Sequence, residues 1–339
     1  MESSLKQKSQ KISKKSKKMS KNSKYFDFYD DIKSPCHKIV DWWKGENMEK
    51  IVSIVGLTSS GKSDLGIYLA QKFDGEIVSA DSRQVYKGLD FCSGKVTKEE
   101  MQLVPHHLID IRDLGEQFTL YDFQKMAYEK IDNILGRGKV PFLVGGTGLY
   151  TRSVVEGYNL DETKPDQQER KKLDSLSLEE LKEICKDKNL SVPEQATKRR
   201  LIRIIETSNT KQGRNMPKYD VLQLAIDFTR EEICERIRLR LERRMPNMIK
   251  EIKNLVKNGV DKEFLRSLGL EAKFVLDYLD GNFLSYDEFF EKLFIAERQF
   301  AKRQKTWFAK EKNIIWIDSH KNVQEIAEEL VANFLGKHL

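Results

Sequence analysis

The octapeptide Gly56-Leu57-Thr58-Ser59-Ser60-Gly61-Lys62-Ser63 restricts the fold more than any other stretch of the chain. It has the pattern G-x-x-x-x-G-K-[ST]. An apolar run, IVSIV (51–55), precedes it, and a segment with helical periodicity, 63–72, follows. A loop set between a strand and a helix in this way can wrap an anion. Its glycines free backbone N–H groups to point inward, and the helix N-terminus adds a partial positive charge. Lys62 supplies a mobile cation and Ser63 a hydroxyl suited to Mg²⁺. The pattern indicates phosphate binding and leaves nucleotide hydrolysis open.

Further strands are expected at EIVSA (76–80), VPFLV (140–144) and IIWI (314–317), with a helix over 120–135. Strands alternating with helices predict an α/β fold, a parallel sheet flanked by helices in the manner of P-loop NTPases. Residues 158–215 are polar and lack β-branched runs, so they read as a smaller inserted helical domain. The core would then comprise 48–157 and 216–339. Thr229 to Gly259 reads as helix again, with Pro246 kinking it or splitting it in two.

The net charge of +7 is concentrated at one end, because residues 1–24 hold nine lysines against one glutamate. This Lys/Ser-rich stretch reads as disordered, and 1–47 as a basic extension preceding a second sensible start at Met48. The body is nearly neutral, so any case for nucleic acid must rest on local clusters. Cys36, Cys92, Cys185 and Cys234 form no CxxC pair and read as reduced, cytosolic thiols. No stretch is long and apolar enough to span a membrane.

Two other strand ends carry chemistry. Asp81 follows IVSA and opens Asp81-Ser82-Arg83-Gln84-Val85-Tyr86. A carboxylate there can serve as a general base or hold a metal, or it can simply cap a helix. Gly145-Gly146-Thr147-Gly148 follows VPFLV, where its glycines would allow close backbone approach to a ligand.

GLTSSGKS, ADSRQVYKGLD, VPHHLIDI, LVGGTGLY and RQFAKRQKTW occur in this order. Together they resemble the tRNA dimethylallyltransferase (tRNA isopentenyltransferase) family, over roughly residues 50–335. The resemblance implies transfer of a dimethylallyl group from dimethylallyl diphosphate to N6 of the adenosine 3′-adjacent to the anticodon of tRNA, with Mg²⁺ as cofactor. Residues 56–63 would hold the diphosphate. Asp81 would be the base, and Thr147 and Arg240 would complete the catalytic set. Arg236, Arg238, Arg243 and Arg244 crowd the same helix. tRNA would meet Asp81, Ser82, Arg83 and Gln84, the cluster Lys198, Arg199, Arg200 and Arg203, and Arg266 with Gly269. Arg298, Lys302, Arg303 and Lys305 form another basic run, and His106 and His107 read as structural. The resemblance implies a cytoplasmic enzyme of bacterial type, without the zinc-finger extension of eukaryotic relatives, and a monomer is expected.

The chain departs from the family pattern in two places. Gly269-Leu270-Glu271-Ala272 stands where Gly-Tyr-[Arg/Lys]-Glu is common, with Lys273 as a possible substitute cation, and Glu297 stands where a threonine is usual. Three other readings compete. An adenylate isopentenyltransferase would prenylate free AMP, ADP or ATP. A small-molecule P-loop kinase leaves DSRQVY unexplained. A non-catalytic RNA-binding module leaves the phosphate loop without a purpose.

Overall fold

A computed structural model describes residues 48–160, 167–208 and 213–337. The expected basic extension 1–47 lies outside the described residues. β1 (Lys50–Val55) runs into the phosphate loop, and α1 (Lys62–Lys72) leaves it. β2 (Gly75–Ser79), α2 (Lys98–Leu103), β3 (His106–His107), α3 (Leu120–Gly136), β4 (Val140–Gly145) and α4 (Gly148–Val155) follow. β1, β2 and β4 are buried almost throughout, which explains their near-continuous apolar runs.

The main sheet has six strands in the order β3-β2-β4-β1-β7-β8, every neighbouring pair parallel. β7 (Asp220–Asp227) and β8 (Ile314–Asp318) complete it. The parallel sheet was expected, but β3 and β7 were not. β7 lies beside β1, with Val52 opposite Leu222 and Ile54 opposite Leu224. α1 and α12 (Val323–Leu335) cover one face of the sheet through Leu65, Leu69, Ala327 and Val331. α3 and α4 cover the other through Phe123, Ala127, Ile131 and Val154. At the edge, His107 Nε2 lies 2.8 Å from Glu76 Oε2, and Arg137 holds the same carboxylate with two hydrogen bonds. His107 is therefore tied into the sheet edge, while His106 Nδ1 lies 2.8 Å from the Val104 carbonyl and its side chain lines the cavity described below.

Between β4 and β7, a two-residue antiparallel ribbon joins β5 (Tyr158–Asn159) to β6 (Gly213–Arg214). Between its strands lie α5 (Gln167–Ser175), α6 (Leu178–Asp187) and α7 (Lys198–Glu206), which share an apolar cluster of Leu173, Leu181, Cys185, Leu201, Ile202 and Ile205.

α8 (Arg230–Lys257) is one helix of 28 residues. Thr229 and Glu232 form a capping box at its start, an arrangement that contributes about 1 kcal/mol. Pro246 does not split it. Pro246 and Glu242, whose carbonyl loses its donor, are both exposed, so water can satisfy that group. Ile237, Leu241, Met245, Met248 and Ile252 recur at three- and four-residue spacing and are fully buried. They pack with α9 (Lys262–Ser267), α10 (Leu270–Leu279) and α11 (Tyr286–Phe308) in a helical layer that also takes in Val85 and Leu89.

Candidate active site

The phosphate loop, the Asp81 turn and the Gly145–Gly148 segment meet at the C-terminal ends of β1, β2 and β4. Ligands bind open α/β sheets at such strand ends. A cavity of about 670 Å³ opens there. Thr58, Lys62, Ser63, Asp81, Ser82, Arg83, Gln84, Thr147, Arg240, Arg266 and Gly269 all line it. Three motifs separated by up to ninety residues thus face one space.

Gly61 caps α1 in the left-handed region at φ 79°, and Ser59 adopts φ 62°. The side-chain oxygens of Ser59 and Ser60 are buried with no hydrogen-bond partner among the described residues. Lys62 Nζ donates to the Leu57 carbonyl at 3.2 Å, folding back over the loop. Desolvation in the cavity, with Arg240 beside it, pulls the Lys62 ammonium down to about 8.

Asp81 caps a turn rather than a helix. Its Oδ1 accepts from Arg83 N at 2.8 Å and Gln84 N at 3.4 Å, which fixes the carboxylate's orientation. No protein donor among the described residues holds Oδ2. Thr147 braces the same turn, its Oγ1 accepting from Ser82 N at 3.1 Å.

The glycines beside Thr147 line the cavity, and they also allow close approach of protein. A Cβ on Gly145 would sit 2.1 Å from the Ala80 carbonyl oxygen, and one on Gly148 2.3 Å from Trp307 Nε1. These contacts let β2 and α11 close on the site.

The arginines of α8 separate clearly. Arg236, Arg240 and Arg244 recur every four residues and form one stripe. Arg236 Nε donates to the Ser59 carbonyl at 2.7 Å, and Arg240 Nη1 donates to Thr58 Oγ1 at 2.7 Å. Arg244 donates to the Phe91 carbonyl. Arg238 points elsewhere, to Glu291 at 2.9 Å, with its guanidinium over the Phe294 ring. Two cations therefore grip the phosphate loop from α8, in addition to Lys62.

Gln304 went unnoticed in the sequence. Its Oε1 accepts from Thr58 N at 2.8 Å, and its Nε2 donates to the Gly146 carbonyl at 3.0 Å, so one amide straps two loops together. It lies within RQFAKRQKTW, where only the cations drew notice. Phe300, Arg303 and Trp307 of the same helix also line the cavity. Lys305 instead pairs with Asp227 and covers Trp316.

Arg266 lines the cavity while paired with Asp277 and with Asp280, the latter at 2.6 Å. Gly269 lies against Arg83, with room for a Cβ only 3.0 Å from Nε. Lys198, Arg199, Arg200 and Arg203 are not at the cavity. They lie on α7, whose apolar face is buried while Arg199, Arg200 and Arg203 are exposed.

No group of three or more His, Cys, Asp or Glu among the described residues could hold a metal alone. The oxygen donors at the cavity, the Ser63 hydroxyl and the Asp81 carboxylate, suit a hard ion that takes most of its shell from water and ligand phosphates. That chemistry fits Mg²⁺.

A family model described as IPP transferase matches residues 84–311. A tRNA dimethylallyltransferase 2 of Shewanella sediminis is 38% identical over 296 residues, covering 84% of this chain and 98% of that protein. A crystal structure of the full-length tRNA isopentenylpyrophosphate transferase of Bacillus halodurans superposes with a TM-score of 0.64 at 34% identity. The match covers 85% of this chain and 96% of the other. A eukaryotic dimethylallyltransferase acting on tRNA superposes with a TM-score of 0.71 at 25% identity, covering 86% and 81%. By these matches, and with its motifs gathered round one cavity, the chain belongs to the IPP transferase family, among the tRNA dimethylallyltransferases.

Proposed function

We propose that the protein transfers the dimethylallyl group of dimethylallyl diphosphate to N6 of the adenosine 3′-adjacent to the anticodon in tRNA and releases diphosphate. The observation that carries this reading is the meeting of an anion cradle with a fixed carboxylate across one cavity. Residues 56–63 bind the diphosphate, with Lys62 and Arg240 facing its charge. N6 attacks C1 of the donor, the C1–O bond breaks, and its electron pair leaves on diphosphate. Adenine N6 is a poor nucleophile, because its lone pair is delocalised into the ring. Asp81 takes the N6 proton as the new bond forms. Cations and loop N–H groups stabilise the charge growing on the leaving group. Thr147 holds the Asp81 turn in place. Mg²⁺, when bound, neutralises diphosphate charge, and the Ser63 hydroxyl would hold it.

The target base must leave its stack to reach this cavity. The turn from Asp81 to Gln84, with Gly269 and Arg266, receives it. Lys198, Arg199, Arg200 and Arg203 neutralise tRNA phosphates from the helical segment 158–215. The relatives' names support tRNA as acceptor. We place the enzyme in the cytoplasm as a monomer; no helix among the described residues is long and apolar enough to cross a membrane.

Incubation with labelled dimethylallyl diphosphate and either unmodified tRNA or AMP tests the reading. Label is expected in tRNA. Label in AMP alone would favour the adenylate enzyme, and ATP turnover without prenyl transfer would favour the kinase.

A further inference from the structure

The helix that carries Gln304, α11, also holds a buried carboxylate with no evident purpose. Glu297 is 2% exposed, and neither of its oxygens has a hydrogen-bond partner among the described residues. A buried, unpartnered carboxylate is costly, and proteins rarely carry one without a reason. Its surroundings suggest the reason. The charged groups acting on it are Glu271, at the start of α10, and Arg240 and Arg244 of α8. Arg240 is the residue that reaches Thr58 in the phosphate loop. Arg244 Nη1 is itself buried without a partner. An unpaired buried acid thus lies within electrostatic reach of two arginines, one already engaged with the loop and the other with a free donor.

We propose that Glu297 is a positioning residue for Arg240. When protonated, it leaves Arg240 on the phosphate loop, ready for an anion. When ionised, it draws Arg240 and Arg244 toward α11 and weakens diphosphate binding. The proposal rests on the assignment of residues 56–63 to diphosphate.

The switch falls in an accessible range. Burial, and then repulsion from Glu271, push the Glu297 carboxyl up to about 8. The sign follows directly. Below that value Glu297 is neutral and the cradle keeps Arg240; above it the carboxylate competes with the incoming anion. The neutral fraction falls about tenfold between pH 7 and pH 9 for a group titrating at 8.

Calorimetric titration of inorganic diphosphate into the full chain, at pH 7 and pH 9, tests this on wild type and Glu297→Gln. The amide keeps the shape of the neutral acid and cannot ionise. Diphosphate and Lys62 titrate in both experiments, so their contributions are common to both proteins. The wild-type dissociation constant should rise about tenfold more between the two pH values than that of Glu297→Gln. An equal rise in both proteins would overturn the proposal. Absence of diphosphate binding by either protein at pH 7 would instead remove the diphosphate assignment, and the proposal with it. Glu271→Gln supplies a second test that does not depend on substituting Glu297. Removing its charge should move the affinity loss to lower pH, and an unmoved onset would also overturn the proposal.

Discussion

Replacing Gln304 with alanine should damage catalysis far more than its distance from any reacting atom suggests. Gln304 is 7% exposed, and its side chain makes two hydrogen bonds, at 2.8 Å from Thr58 N and at 3.0 Å to the Gly146 carbonyl. Neutral hydrogen bonds contribute about 0.5–1.5 kcal/mol each, so the pair holds the two loops with about 1–3 kcal/mol. Thr58 also receives Arg240, so slack in the loop is passed to that guanidinium. If the lost energy is felt in the transition state, kcat/KM should fall about 5-fold to 150-fold. Gln304→Glu separates the two bonds. It can still accept from Thr58 N, but it sets a carboxylate against the Gly146 carbonyl and beside the diphosphate. Its KM for dimethylallyl diphosphate should exceed that of the alanine variant. The assay is steady-state prenyl transfer to tRNA, with a thermal melt on each preparation. Gln304→Ala with kcat/KM within about twofold of wild type would refute the strap argument.

Asp81→Asn keeps the acceptor oxygen that holds the turn but loses the base, so it should abolish transfer while sparing tRNA binding measured by filter retention. Near-normal turnover would show that another group takes the proton. Arg199→Ala and Arg200→Ala should each lower the slope of log K against log salt for tRNA by roughly one, with donor KM unchanged; calorimetry across a salt series reads this. Two hydrogen bonds from Arg137, helped by His107, hold the Glu76 carboxyl down at about 2, against an ordinary value near 4.5. The stability this provides is complete above the ordinary value and is lost as pH falls through the window between them. Scanning calorimetry should therefore show Glu76→Gln melting below wild type at pH 7, with the gap closing toward pH 2.

The sequence displayed the strands that are buried on both faces. IVSIV and VPFLV are short apolar runs bounded by turn residues, and nothing else suits such a run so well. β7 escaped because Gln223 interrupts VLQLAI and the first residues of the strand are only half-buried. Its place beside β1 depends on pairing across about 170 residues, which no local pattern records. Pro246 does not split α8. The local rule is sound, but Glu242, whose carbonyl loses its donor, is an exposed residue, and the buried residues on either side hold the helix together. The glycines after β4 were legible as sites of close approach, and among the protein groups that approach them are Ala80 and Trp307. Residue chemistry drew notice to Lys62, Asp81 and Arg240, which share one cavity. Glu297 stood out only as a departure from the family pattern and Gln304 not at all, because an amide and an acid in a helix become informative only through what surrounds them.

In the proposed reaction, one cavity joins a diphosphate grip to a base aimed at a single tRNA adenosine. Labelled dimethylallyl diphosphate supplied with two tRNA transcripts decides whether this holds. They should be identical except that the adenosine 3′-adjacent to the anticodon is replaced by guanosine in one. After nuclease digestion, N6-dimethylallyladenosine is expected from the first transcript and no labelled nucleoside from the second. Equal label in both, or label attached elsewhere than N6, would contradict it.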